Sequence, residues 1–362
     1  MRQPSAVLFT IALALPAAAG SPADVAGLVN ARVETGSAAA GLDAEVRRVL
    51  ASRSGPSWIG YSMPANGKHS MCCWSSSNDA GAPCGGCRLE GEKGEGAFRP
   101  EAPKAVALEG PARFRVLLRA EGGRVIRIRT MSEDCALDAG GLPFVWIESV
   151  RPAESVAYLA SLVGSGPDGG NKGHGIDDGA LAALAFHDDA SADAVLSRFL
   201  DPAQPDERRR QAAFWMGQAR GAKGLEPLLR LMGSDPSPSF REHLTFVLSQ
   251  SRDPRAVDRL LAVAKRDDNA HVRGQALFWL AQTAARRATG AIESALNEDP
   301  EESVKKQAVF ALTQLPKDEG VPILIRLART HQSREVRKQA MFWLGQSGDA
   351  RAIAFFEDVL KP

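Results

Sequence analysis

The sequence has no cysteine after residue 135, no apolar run beyond its first twenty residues long enough to cross a bilayer, and almost no excess of either charge. A membrane-spanning helix needs roughly 20 apolar residues, so no such helix is expected after the N-terminus. With 44 basic and 43 acidic side chains, the formal net charge is +1. That balance lacks the basic excess with which nucleic-acid binders neutralise phosphates, so nucleic acid is not an expected partner. Catalytic signatures are also missing. No serine sits in a nucleophile elbow, there is no His-x-x-x-His pair, and the six histidines are scattered at 69, 174, 187, 243, 271 and 331. In the Gly-rich run at 164–175, Lys172 is followed by Gly173 where a phosphate-cradling loop needs Ser or Thr. No enzyme activity and no cofactor are expected.

What is present begins with a leader. Arg2 precedes the apolar stretch Ala6 to Leu15, then Pro16 and small residues through Ala19 and Gly20. This order is that of a cleavable secretory signal over residues 1–20. The expectation is an exported protein, periplasmic or extracellular, whose mature form loses Arg2 and becomes formally neutral. No Cys follows the small residues to accept a lipid.

All five cysteines fall before residue 140. In an oxidising compartment Cys72, Cys73, Cys84 and Cys87 most simply form two disulfides, leaving one Cys over. With His69 three residues upstream, the same cluster has the ingredients of a zinc site. Against zinc, adjacent Cys72 and Cys73 point in different directions in most backbones. Cys84-Gly85-Gly86-Cys87 lies in a Ser/Gly/Pro-rich loop, whereas a redox pair should open a helix after a strand. Metal or redox sensing thus stands as the alternative to a structural role.

Residues 21–165 suggest a small Cys-containing α+β domain, mostly β. Arg32–Glu34 and Pro56–Pro64 are strand candidates and Ala38–Leu50 a helix. Phe114–Arg119 and Val125–Arg129 alternate aliphatic and Arg residues around Gly122-Gly123, the pattern of a β-hairpin with one wet face. Phe144–Ile147 offers a further strand. The acidic stretch Glu133–Gly141 lacks EF-hand spacing and is expected to be an ordinary turn. Residues 166–178 have the composition of a Gly-rich linker.

From residue 179 to 362 the chain repeats. Phe recurs at 214, 246, 278, 310 and 342, always 32 residues apart. Three before each stand Gln211, His243, Gln275, Gln307 and Gln339, and four after stand Gln218, Gln250, Gln282, Gln314 and Gln346. Five before stand Arg209, Arg241, Arg273, Lys305 and Arg337. A register kept over five units signals a stacked array. Within one unit Val272, Ala276, Trp279 and Leu280 share a helical face, Ser251–Pro254 is a polar break, and Val257, Leu260, Leu261 and Ala264 form a second amphipathic run. Each unit is a helical hairpin, and neither helix can bury its stripe without neighbours. Trp279 falls close to the Val272 axis and is expected in the core between repeats.

The run from Val272-Arg273 through Ala276 to Leu280 resembles the first helix of a HEAT repeat, and the short period is similar to the HEAT-like subgroup of the bilin lyases. The resemblance implies an α-solenoid, with Ala180–Leu200 as a degenerate cap, and it implies binding, usually of protein. It also implies that the Arg row is structural. Some relatives are di-iron hydroxylases with His-Glu pairs on successive repeats; this sequence has no His-Glu dipeptide, and no residue supports bilin lyase activity. The N-terminal region resembles those of exported bacterial HEAT-repeat proteins.

The expected fold is therefore multidomain: a Cys-stapled head, then an all-α solenoid. A binding surface should lie on the second helices, where units need not agree because ligands are not periodic. The candidates there are Glu226, Arg230, Asp258, Arg259, Lys265, Glu293, Arg326 and Asp358. The expected partner is a protein.

Overall fold

The computed structural model describes residues 27–69, 71–73, 86–90, 96–98, 110–166 and 175–361. The expected leader, Cys84 and most of the expected linker lie outside them.

The head is built on a five-stranded sheet in the order β2 (Arg32–Ser37), β9 (Pro143–Glu148), β3 (Ser57–Pro64), β6 (Arg113–Glu121) and β7 (Arg124–Ser132). A second, smaller sheet runs β1 (Leu28–Val29), β8 (Leu137–Asp138), β4 (Gly86–Arg88) and β5 (Gly96–Phe98). The β6–β7 hairpin forms at the expected place. Gly122 and Gly123 take φ of 59° and 71°, the left-handed conformation that a tight hairpin turn demands.

The expectation of a wet hairpin face fails. Arg115 and Arg119 of β6 are buried, at 2% and 9% exposure, because the small sheet covers that side. Each Arg is neutralised or satisfied there. Arg119 pairs with Glu90, which also accepts from Trp58 Nε1 at 2.9 Å; Arg115 donates to the Cys135 carbonyl at 3.1 Å. Alternation in the sequence marked two chemically different faces, but not that the polar one would be roofed.

The opposite face of the large sheet carries Ile59, Tyr61, Phe114, Val116 and Leu118 into a core shared with α1 (Leu42–Ser52), α2 (Pro152–Leu162) and α3 (Ile176–Phe186). That core continues without interruption through the solenoid. Head and repeats are thus fused by apolar packing. At Gly179 in α3, an added Cβ would sit 2.3 Å from the Ile128 carbonyl oxygen of β7, so only glycine lets this helix lie on the strand. α3 begins at Ile176, inside the range that composition marked as linker.

Six helical hairpins follow: α3 with α4 (Ala190–Phe199), α5 (Asp206–Ala219) with α6 (Gly221–Ser234), α7 (Pro238–Ser249) with α8 (Pro254–Arg266), α9 (Ala270–Thr283) with α10 (Ala285–Glu298), α11 (Glu302–Leu312) with α12 (Lys317–Thr330), and α13 (Arg334–Gln346) with α14 (Ala350–Leu360). The sequence rows explain the stack. Ala212, Leu244, Ala276, Ala308 and Ala340 are fully buried, and Met216, Leu248, Leu280, Leu312 and Leu344 are at most 1% exposed. Many helix starts are capped by side chains: Ser237 accepts from Phe240 N–H, Asn269 from His271 N–H, and Asp253 from Arg255 N–H. Each such cap stabilises by about 1 kcal/mol.

The aromatic ladder is an edge of this core rather than its centre. Phe214 and Phe246 lie parallel with centroids 6.3 Å apart, and Phe278 and Phe310 likewise at 5.7 Å. Trp279 packs across onto Phe246 at 5.1 Å, and Trp343 onto Phe310 at 5.0 Å. The rings join neighbouring repeats as expected of Trp279, but they remain half-buried.

Candidate functional site

Candidate chemistry in the head starts with the cysteines. Cys72 is joined to Cys135 and Cys73 to Cys87. Cys135 therefore takes a partner 63 residues away, where the sequence had placed both bridges within 72–87. The departure has a topological cause: β8 pairs in parallel with β4, which brings Cys135 and Cys87 to one buried cluster against which both Cys72 and Cys73 pack. These four sulfurs tie the small sheet to the chain entering it. The acidic stretch expected to be a turn also contains the short strand β8, whose last residue Asp138 accepts from Gly140 N–H and from Asn30 Nδ2.

Ser155 and His187 form a pair that sequence reasoning missed. His187 Nδ1 lies 2.7 Å from the Ala183 carbonyl, so it carries the proton; Nε2 then accepts from Ser155 Oγ at 2.8 Å, and Ser155 in turn accepts from Tyr61 at 2.9 Å. Burial lowers the His187 pKa to about 4 and raises that of Tyr61 to levels where it does not ionise. A Ser–His contact invites comparison with a nucleophile and its base. All three side chains are sealed from solvent, so no substrate reaches them. The chain of bonds crosses β3, α2 and the end of α3, and its role is to fix head to solenoid. Arg220 completes the seam, donating to the carbonyls of His187 and Ala185 while pairing with Asp193.

The Arg row holds successive repeats together. Arg209 pairs with Asp235, both fully buried. Arg241 meets Asp267 with two bonds of 2.9 Å; Arg273 meets Asp299 at 2.7 and 2.9 Å. Arg241 and Arg273 also bond the carbonyls of Asp235 and Asp267 at 2.7 and 2.8 Å. The acids recur every 32 residues, a signal present in the sequence beside the Arg row. In the Gln rows, Gln250 donates to Ser249 Oγ, Gln314 to Thr313 Oγ1, and Gln282 to Gln314 at 3.4 Å. Their side chains mostly face solvent.

The second-helix candidates form one surface. Glu226 pairs with Arg255 of the next repeat at 3.0 Å, Asp258 with Arg287, Glu293 with Arg326, and Asp358 with Arg329 at 2.7 Å. Each of these side chains is about half exposed. Arg230 and Lys265 are exposed beside them. Arg259 departs from the expectation of a free surface cation: its guanidinium packs over Gly233, where an added Cβ would sit 1.8 Å from its Nη2.

Residues 192–281 and 290–362 match the family model for HEAT repeats. The C-terminal half of the chain is thus built of HEAT repeats. Among solved structures, the complex of CpcE and CpcF of phycocyanin lyase from Nostoc sp. PCC7120 is similar at 21% identity and a TM-score of 0.30, over 57% of this chain and 81% of that one. Human deoxyhypusine hydroxylase is similar at 20% identity and a TM-score of 0.25, over 56% of this chain and 77% of that one. Neither likeness carries a functional argument. No curated protein matches the chain.

Proposed function

We propose that this protein is a non-catalytic scaffold or adaptor of the bacterial envelope, exported by its N-terminal leader, which binds a protein partner through the second-helix face of the solenoid. One observation carries the reading: four cross-repeat ion pairs line that face in half-exposed positions. Exposed pairs of this kind contribute little to folding, so their charges are available for exchange with a partner's at small conformational cost. Catalysis in the head has less support. The Ser155–His187 pair is sealed, and four of the cysteines are joined in disulfides.

Because head and repeats share one core, the test uses the full mature chain. Partners captured from an envelope fraction are compared between the native chain and a variant carrying Glu226→Lys, Asp258→Lys and Glu293→Lys. The expected result is a partner retained by the native chain and lost by the variant, with the variant's circular dichroism unchanged. A partner retained equally by both would overturn the assignment of the face.

A further inference from the structure

We infer that the groove between the third and fourth 32-residue repeats, at Lys305 and His331, is a binding site for a carboxylate supplied by a partner protein. The inference names the chemistry of one contact and so rests on the scaffold reading, but it can be tested apart from it.

The turns between repeats carry one recurring acid. Asp235, Asp267 and Asp299 each do two jobs. One oxygen accepts the N–H two residues on, from Ser237 at 3.0 Å, Asn269 at 2.9 Å and Glu301 at 2.9 Å, which starts the next first helix. The carboxylate also neutralises the arginine of the preceding first helix, as described above. At the fourth such turn, 32 residues after Asp299, stands His331. It keeps the first job: Nδ1 accepts from Ser333 N–H at 3.1 Å, which leaves the proton on Nε2, donated to the Leu296 carbonyl at 3.2 Å. Arg337 still bonds the carbonyl of His331 at 2.7 Å, as its counterparts do in earlier repeats. The second job is left undone, since an imidazole held in that tautomer offers no acceptor to a cation.

The residue in the arginine's place is Lys305. Among the described residues its side chain makes no hydrogen bond or ion pair, although its field helps hold the Asp299 carboxyl below the usual carboxylate range. It lines a cavity of about 720 Å³ together with Arg326, Thr330, His331 and Ser333. The one carboxylate in that lining, Glu293, is engaged by Arg326. The corresponding groove one repeat earlier, about 600 Å³, holds Asp267 and Asp299 around Arg273. Thus Lys305 lacks the turn carboxylate that serves Arg209, Arg241 and Arg273, and it faces an open groove instead. A half-buried ammonium attracts a counterion through a lower effective dielectric than that of bulk water, and the sister repeats show which shape fits: a carboxylate entering from the side of the second-helix turn. An Asp or Glu side chain, or a chain terminus, of a partner would complete the series.

The site is tested by NMR titration of the full mature chain, following the Ser333 amide and the His331 ring. The probes are an acetylated Glu-Glu-Glu peptide and, separately, inorganic phosphate. Saturable shifts with the peptide are expected, weakened at least tenfold in Lys305→Met. They should also be lost in His331→Asp, which restores the internal acid and so should fold at least as well as the native chain. Peptide binding undiminished in His331→Asp, or no saturable shift, overturns the site; so does saturation by phosphate alone. Those failures would leave the second-helix face standing, since Glu226 and Asp258, which its own test reads, lie outside this groove.

Discussion

Lowering the pH should loosen the seam between head and solenoid, and His187 sets the size of the effect. Its ordinary pKa of 6.5 is lowered to about 4, first by burial, with Arg220 acting in the same sense, and the bond to the Ala183 carbonyl and the charge of Asp189 oppose. A histidine whose native pKa is depressed binds its proton more readily in the unfolded chain. Its contribution is therefore fully present above pH 6.5 and is lost as the pH falls from 6.5 to about 4. At 1.36 kcal/mol per pKa unit, the loss amounts to about 3 kcal/mol by pH 4. Protonation would also put a donor on Nε2 against Ser155, whose hydroxyl would have to turn towards Tyr61. The assay is urea unfolding at pH 7.5, 6.5, 5.5 and 4.5 of the native chain and of His187→Gln, which keeps a donor and an acceptor but does not titrate. His243 is also depressed by burial, so both proteins lose stability in acid; the difference between them isolates His187. The native chain should lose about 1 kcal/mol more per pH unit below pH 6. Parallel curves for the two proteins, or a His187 ring that titrates near 6.5 by NMR, would show that His187 does not set the acid sensitivity.

Removing one partner of a buried ion pair strands the other, so Arg209→Met should destabilise the solenoid by about 3 kcal/mol, read by urea denaturation. The Asp299 carboxyl, which burial pushes up but which Arg273 and the Glu301 N–H bring below its usual range, should make Arg273→Met lose less stability in acid than the native chain does. Replacing both Cys72 and Cys135 by Ser opens a link spanning 63 residues and should cost about 4 kcal/mol by chain entropy, seen as a lower unfolding midpoint under oxidising but not reducing conditions. Trp279→Ala removes a half-buried ring bridging two repeats and should destabilise by about 2 kcal/mol, less than a fully buried aromatic would.

The solenoid was legible because its physics is local and repeated. One helix shows where Val272, Ala276 and Leu280 point, and four further copies confirm the register. The Arg row was visible, while the Asp row that completes it went unread because it lies in turns, where apolar periodicity gives no signal. The head was less legible, because its pairings are non-local. The hairpin announced itself through Gly122-Gly123, but the parallel pairing of β9 with β2 and β3 joins segments far apart in the chain. For the same reason Cys135 was left without a partner, and Tyr61, Ser155 and His187 could not be brought together. Composition marked 166–178 as a linker, yet Gly179 was the informative residue: it is small because the β7 backbone lies against it. The eight surface candidates lie on the second helices where the periodicity put them, although Arg259 is held by packing.

The most direct test of the scaffold reading is site-specific photo-crosslinking in the native envelope, with a photoreactive residue at Arg230 or Lys265 on the second helices, at Lys306 on a first helix, or at Glu34 in the head. One discrete partner adduct is expected from the two second-helix positions and none from the other two. Adducts from Glu34 alone would rule out the second-helix face and move the binding function to the head.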